Sequence, residues 1–264
     1  MTIQAHEAQF TVRGYDCGYG GPLRTLALAD FLQEAASQHA ESLGWGRDGM
    51  GQSGRTWMLT RIDLRLAAAY ALALRENDWL TVRTWPAAIE RLFALRDFEL
   101  EGPDGERLAA ATYSYLIVDI ASRRPLRPEG ILPPDLHSPR PRAVAEGWQA
   151  IGRPTEAPVE AFRQRAGRRH IDHNGHVNNA HLLTWLVDAV PTAAVAGSRL
   201  AALRVEFVRE VLPGDEVAAV AAPLAGGPAG QRGFVSELCR AGNSTDGGHQ
   251  GGEVCARAET WWQV

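Results

Sequence analysis

The chain has 264 residues, 45% hydrophobic and 22% charged, with a formal net charge of -4. This balance excludes a disordered chain, which has too little to bury, and general nucleic-acid binding, which needs a strongly basic surface. Cys17, Cys239 and Cys255, without CxxC spacing, give neither a disulfide framework nor a zinc knot.

The first residues, "MTIQAHEAQF", have neither the basic start nor the apolar stretch of a secretory signal. The longest uncharged apolar run, Leu66 to Leu74, falls short of the roughly 20 residues that cross a bilayer. The expected compartment is the cytosol, with no membrane and no nucleic acid as partner.

Leu28, Phe31, Leu32, Ala35 and His39 recur at helical spacing and predict an amphipathic helix from about Leu26 to Leu43. Strands follow. In "MLTRIDLRL", Ile62, Leu64 and Leu66 alternate with Arg61, Asp63 and Arg65, the period of a half-buried strand. "WLTVRTW", "RLFALRDFEL" and "LAAATYSYLIVDI" continue the series, and "EGPDGE" supplies a hairpin turn between the last two.

Eight of the fifteen prolines lie between Pro125 and Pro158. Proline fixes φ and removes a donor, so this stretch reads as an irregular connector between an N-terminal domain, 1–124, and a C-terminal domain, 159–264. All 27 basic residues are arginine, and ten of them stand against five acids from Arg123 to Arg169. Two readings follow: a solvated segment, or a docking surface for an acidic partner.

Beyond the connector the order repeats. A helix is expected from about Val177 to Val190, with Leu183, Leu186, Val187 and Val190 on one face and Pro191 at its end. The strands "LAALRVEFV", "DEVAAVAAP", "GFVSELCR" and "EVCARAETWW" come next, separated by turns in "LPGD", "AGGPAGQRG" and "AGNSTDGGHQGG". "RENDWLTVRTW" superposes on "LPGDEVAAVAA" with Asp78 opposite Asp215, an offset of 137. Each half thus reads as a short strand, one long helix and about four antiparallel strands. The fold class is α+β, a tandem repeat joined as a pseudo-dimer.

The chemistry concentrates in "HIDHNGHVNNAHLLTWLVDA", from His170 to Ala189. His170, His173 and His176 stand three apart, a spacing that on a helix would suit a metal, but Gly175 breaks the run and no HExxH is present. A bland alternative is a turn closed by Asp172 and Asn174, followed by a helix capped by Asn178 or Asn179. A third reading is catalytic. Asp172, Asn174 and His176 occupy alternate positions, so an extended loop would turn a carboxylate, an amide and an imidazole to one side, with helix amides behind them. Ester-type hydrolysis needs such a set.

"DHNGHVNN", Asp172 to Asn179, followed by Trp185 and "LRVEFVREV", resembles the acyl-acyl-carrier-protein thioesterases of plant plastids and bacteria. The resemblance implies two tandem hot-dog domains, each a long helix wrapped by an antiparallel sheet. It also implies hydrolysis of fatty acyl thioesters on acyl carrier protein to free fatty acid. Family roles fall on Asp172, Asn174, His176 and Glu210, with no cofactor and no metal, and backbone amides near Val177 are expected to help polarise the thioester oxygen. Where plant enzymes carry a cysteine once proposed as nucleophile this chain has Val211, so the carboxylates must serve.

Pairing Glu34 and Ala35 with Asp188 and Ala189 sets Gly18, Gly20 and Pro22 opposite Asp172, Asn174 and His176, which implies one site per chain. The first half is then scaffold and, by the resemblance, home to the acyl tunnel, with Phe31, Trp57, Met58 and Phe93 as possible lining. Acyl carrier protein is acidic, so the connector arginines and "RQRAGRR" are expected to assist docking. The competing activities are acyl-coenzyme A hydrolysis, dehydration of a β-hydroxyacyl thioester, and acyl binding without catalysis. Both monomer and homodimer fit the repeat.

Overall fold

A computed structural model describes residues 3–68, 70, 74–133, 136, 138–240 and 252–264. The chain divides into two compact units, Met1–Gly147 and Trp148–Val264.

In the first unit, β1 (His6–Thr11), β2 (Arg55–Leu66), β3 (Trp79–Glu90), β4 (Phe93–Glu101) and β5 (Arg107–Asp119) form an antiparallel sheet in the order β1-β3-β4-β5-β2. The expected strand alternation places Ile62 and Leu64 in the core, but Asp63 is buried as well and pairs with Arg65 at 3.2 Å. The strand after "WLTVRTW" runs on through Pro86, which lacks an N–H to donate and sits where the β3–β4 register shifts. The predicted turn in "EGPDGE" closes through Gly105 N–H donating to the Gly102 carbonyl at 3.0 Å, with Gly105 at φ +74°.

Helix α1 (Thr25–Ser42) packs on β3 and β1, burying Leu28, Leu32, Ala35 and His39, while Phe31 is only half-buried and stacks on Phe10. A short α2 (Arg47–Gln52), unforeseen in the sequence, contributes Met50 to a side cluster with Ile3, Ala94, Ile117 and Leu132. Of the remaining tunnel candidates, Trp57 donates its indole N–H to the Trp45 carbonyl at 2.7 Å, Met58 is exposed, and Phe93 lies under the Arg61 guanidinium.

The connector is irregular in path yet anchored. Pro125–Leu126 (β6) pairs with β5. Fully buried Asp97 on β4 then accepts from Arg142 Nε at 2.8 Å and Ala143 N–H at 2.8 Å, as well as from the Thr112 hydroxyl. Arg140 pairs with Glu99 at 2.9 Å and lies over the Trp85 ring. These two arginines hold the chain to its own unit.

In the second unit β7 (Val159–Arg165), β8 (Arg199–Phe207), β9 (Glu216–Leu224), β10 (Gln231–Arg240) and β11 (Glu253–Gln263) repeat the plan, ordered β8-β11-β10-β9-β7. Helix α3 (Asn179–Asp188) packs on β11 and β10. It is shorter than the expected Val177–Val190 because Asn178 is extended, at φ -58° and ψ 135°, and its side-chain oxygen accepts the Ala180 N–H at 2.8 Å. Its buried face is Ala180, Leu182, Leu183, Trp185 and Leu186, with Val187 only half-buried. The turn expected in "AGNSTDGGHQGG" falls on 241–252, of which 241–251 lie outside the described residues.

The repeat holds to the level of single hydrogen bonds. Val12 N–H donates to the Asp78 carbonyl and Ala166 N–H to the Asp215 carbonyl, both at 2.8 Å. The Asp78 carboxylate accepts the Arg75 N–H at 2.8 Å, as the Asp215 carboxylate accepts the Leu212 N–H at 2.9 Å.

Candidate active site

After β7, one turn of 3-10 helix (Arg168–His170) leads into a tight loop closed by an antiparallel bridge between Ile171 and Val177. Asp172 N–H donates to the His176 carbonyl at 2.9 Å and Gly175 N–H to the Asp172 carbonyl at 3.1 Å. Gly175 takes φ +85°, a conformation that L side chains resist. The loop is therefore a turn, not the extended stretch expected, and it is chain reversal that gathers the side chains.

The Asp172 carboxylate accepts the Asn174 N–H at 2.8 Å and the Asn174 side-chain amide at 3.3 Å, and its Oδ1 lies 3.9 Å from His176 Nδ1. His176 Nδ1 also faces the Val177 carbonyl at 3.4 Å. The tautomer that meets these oxygens has its proton on Nδ1 and its lone pair on Nε2, the arrangement that suits an incoming group. Both side chains are partly accessible, 16% for Asp172 and 24% for His176, as reacting groups must be. The bland elements of the motif are real too: the Asp172–Asn174 turn and the Asn178 cap both form.

The three histidines diverge. His173 is exposed, whereas His170 is buried edge-on against Trp185 and His181, and its Nδ1 accepts the Gly167 N–H at 3.0 Å. Burial, with His181 and Arg169 nearby, lowers its pKa and keeps the ring neutral. Among the described residues, no group of three or more His, Cys, Asp or Glu could hold a metal ion.

Glu210 stands on the loop between β8 and β9, next to Val211. The Val211 carbonyl accepts the Val177 N–H at 2.8 Å, so the two loops are joined one residue away from both His176 and Glu210. That bond corrects one expectation. The Val177 N–H is spent, as is the Asn178 N–H on the His170 carbonyl at 2.9 Å, so neither can polarise a substrate oxygen. The side-chain amide of Asn174, exposed and held by one long bond, is a donor that the motif still offers.

A twin of this loop lies in the first unit. Cys17 bridges Leu23, Gly18 N–H donates to the Pro22 carbonyl at 2.8 Å, Gly21 N–H to the Gly18 carbonyl at 3.0 Å, and Gly21 takes φ +95°. Residue for residue this is the Ile171–Val177 loop, 154 positions earlier, with Gly18, Gly20 and Pro22 where Asp172, Asn174 and His176 stand. The bridge and its two main-chain bonds are shared, Gly20 differs in taking φ +81° where Asn174 takes no positive φ, and the chemistry is not shared.

Residues 4–132 match the acyl-ACP thioesterase N-terminal domain and residues 155–264 the C-terminal domain of the same family. Oleoyl-acyl carrier protein thioesterase 2 of Arabidopsis thaliana, described as chloroplastic, is 23% identical over 231 residues, covering 81% of this chain and 61% of the relative. This chain thus spans about three fifths of the length of that plant protein. A crystal structure of an acyl-ACP thioesterase from Bacteroides thetaiotaomicron superposes with a TM-score of 0.79 at 21% identity, over 98% of both chains. The 12:0-ACP thioesterase from Umbellularia californica gives 0.76 at 21% identity, over 98% of this chain and 94% of that one. At such identities the structures establish the tandem hot-dog fold, and the two domain matches establish kinship: the chain belongs to the acyl-ACP thioesterase family.

Proposed function

We propose that the protein hydrolyses fatty acyl thioesters carried on acyl carrier protein, releasing free fatty acid and the carrier thiol. The observation that carries this reading is the asymmetry of the twin loops: one of two matching turns holds a carboxylate, an amide and an imidazole, and the other holds none. In the reaction, Asp172 or Glu210 either draws a proton from water, whose oxygen attacks the carbonyl carbon as the carbon–sulfur bond breaks, or attacks that carbon itself, expelling the thiolate and leaving an acyl anhydride that water then hydrolyses to the free acid. His176, through Nε2, relays the proton given up by the attacking water to the sulfur that leaves, and Asn174 donates to the carbonyl oxygen as negative charge builds there. A positioned acid or base contributes about 10² to 10⁴ in rate.

The test is thiol release from a panel of acyl-carrier substrates of graded chain length, beside the same acyl groups on coenzyme A, for the wild type and His176→Ala. The reading expects carrier substrates to be preferred and the variant to lose at least about 100-fold. Preference for coenzyme A would move the assignment to the other carrier, and loss of water from a β-hydroxyacyl substrate without thiol release would make the protein a dehydratase. Undiminished turnover in His176→Ala would remove the histidine from the mechanism.

A further inference from the structure

We infer that Arg240, the last residue of β10, is a positioning residue that fixes the loop bearing Glu210. The inference rests on the role proposed above for Glu210 and adds the side chain through which that role is held in place.

The loop from Val208 to Asp215 is pinned along its length. At its entry, the N–H groups of Val208 and Arg209 both donate to the Cys255 carbonyl, at 2.8 and 2.9 Å. Cys255 belongs to the stretch of β11 where pairing with β10 slips, between Leu238 and Cys239. At the exit, the Asp215 carboxylate accepts the Leu212 N–H at 2.9 Å. Between these, Arg240 Nη2 donates to the main-chain carbonyl of Glu210 itself. Its remaining nitrogens face two acids: Nε lies 3.1 Å from Asp215 and Nη1 lies 3.3 Å from Glu253. Glu253 pairs in turn with Arg209, the residue before Glu210.

The guanidinium fork is thus aimed by a carboxylate on either side so that one arm reaches one carbonyl. A lysine carries the charge but not the planar fork that donates to the Glu210 carbonyl with one arm and to Glu253 with the other while lying beside Asp215. Ion pairs as exposed as these contribute little to overall stability. What this arrangement supplies is the placement of a short backbone segment, and a displacement of about 1 Å in a reacting group costs on the order of 100-fold in rate.

Arg240→Ala should lower kcat by about 10- to 100-fold while KM stays within about threefold. Arg240→Lys should recover part of the loss, and millimolar ethylguanidinium should restore some activity to Arg240→Ala. The deciding measurement is a double-mutant cycle with Glu210→Gln. If Arg240 acts through Glu210, the double variant is no slower than Glu210→Gln alone. Losses that multiply in the double variant, or wild-type kcat in Arg240→Ala beside a damaged Glu210→Gln, overturn the inference alone. Wild-type kcat in Glu210→Gln overturns the role of Glu210 and the inference with it. Should Arg240→Ala fail to fold, Arg240→Lys enters the same cycle with the same criteria.

Discussion

Asp172→Asn separates the two things this residue does. As a turn former, Asp172 accepts the Asn174 N–H at 2.8 Å through one carboxylate oxygen, and asparagine offers the same oxygen at the same place. What the substitution removes is the second contact, to the Asn174 amide at 3.3 Å, and the charge 3.9 Å from His176. A partly exposed contact between carboxylate and imidazole at that distance is worth about 0–1 kcal/mol, and a long hydrogen bond to a solvent-accessible carboxylate about 0.5–1 kcal/mol. The total, about 1 kcal/mol, lowers the melting temperature by roughly 2–4 °C. As a base or nucleophile, in contrast, the carboxylate has no substitute in an amide, and the loss should be about 10² to 10⁴ in kcat, or roughly 3–5 kcal/mol of barrier. Thiol release and a thermal melt on the same preparation read both effects. A variant that keeps more than about a tenth of wild-type kcat reduces Asp172 to a turn former, and a melt more than about 10 °C lower shows that the carboxylate holds the loop, so that the rate loss no longer speaks to chemistry.

Two further outcomes follow from the first unit. Asp97→Ala deprives the Ala143 N–H and the Thr112 hydroxyl of a fully buried acceptor, while the Arg142 head, 28% exposed, can rehydrate. Two orphaned donors at about 1–3 kcal/mol each should lower the melting temperature by roughly 5–15 °C in calorimetry, and a shift under about 3 °C would show that the strap does not depend on this acid. For His39, burial first, then Arg96 and His6, push the pKa down from 6.5 to about 4. The unfolded chain then binds the extra proton between those values, so stability is whole above about pH 6.5 and is lost as pH falls toward 4. The share due to His39 is about 1–2 kcal/mol after allowance for solvent screening. Urea unfolding at pH 7.5 and 4.5 should show a smaller decline for His39→Gln, whose amide oxygen still accepts from Arg96; equal declines would refute the assignment.

The strands were legible because alternation is local: Ile62, Leu64 and Leu66 announce β2 without reference to its partners. Asp63 shows the limit, since nothing in a single strand tells that its polar side is covered as well. The C-terminal helix was overextended because Val177 and Val190 fit the apolar period, whereas the boundary is set by Asn178, whose side chain satisfies the first-turn amide of Ala180. In the connector, prolines rightly signalled irregular backbone, yet the fate of Arg142 depended on Asp97, 45 residues away and with no sequence mark of its burial. The motif Asp172-x-Asn174-x-His176 stood out because its polar side chains are dense and contiguous. Arg240 did not: its meaning lies in a carbonyl, Glu210, that only folding brings alongside.

The repeat explains why a strained turn can be kept in one half without any chemistry in it. Cys17–Leu23 and Ile171–Val177 form the same bridge, the same pair of main-chain hydrogen bonds and a left-handed glycine at the same place, Gly21 or Gly175, and each lies just ahead of its unit's main helix, α1 or α3. In the first unit that geometry needs no carboxylate, since Gly18 occupies the position of Asp172 and the loop still closes. The first loop closes with two left-handed glycines, Gly20 and Gly21, where the second has Gly175 alone and an Asp172 carboxylate that accepts the Asn174 N–H, so Asp172 shapes its own turn while the bridge itself has no need of it. That the same bridge and the same two main-chain bonds form in the first unit without a carboxylate, an amide or an imidazole supports the proposed roles of Asp172, Asn174 and His176 toward a ligand.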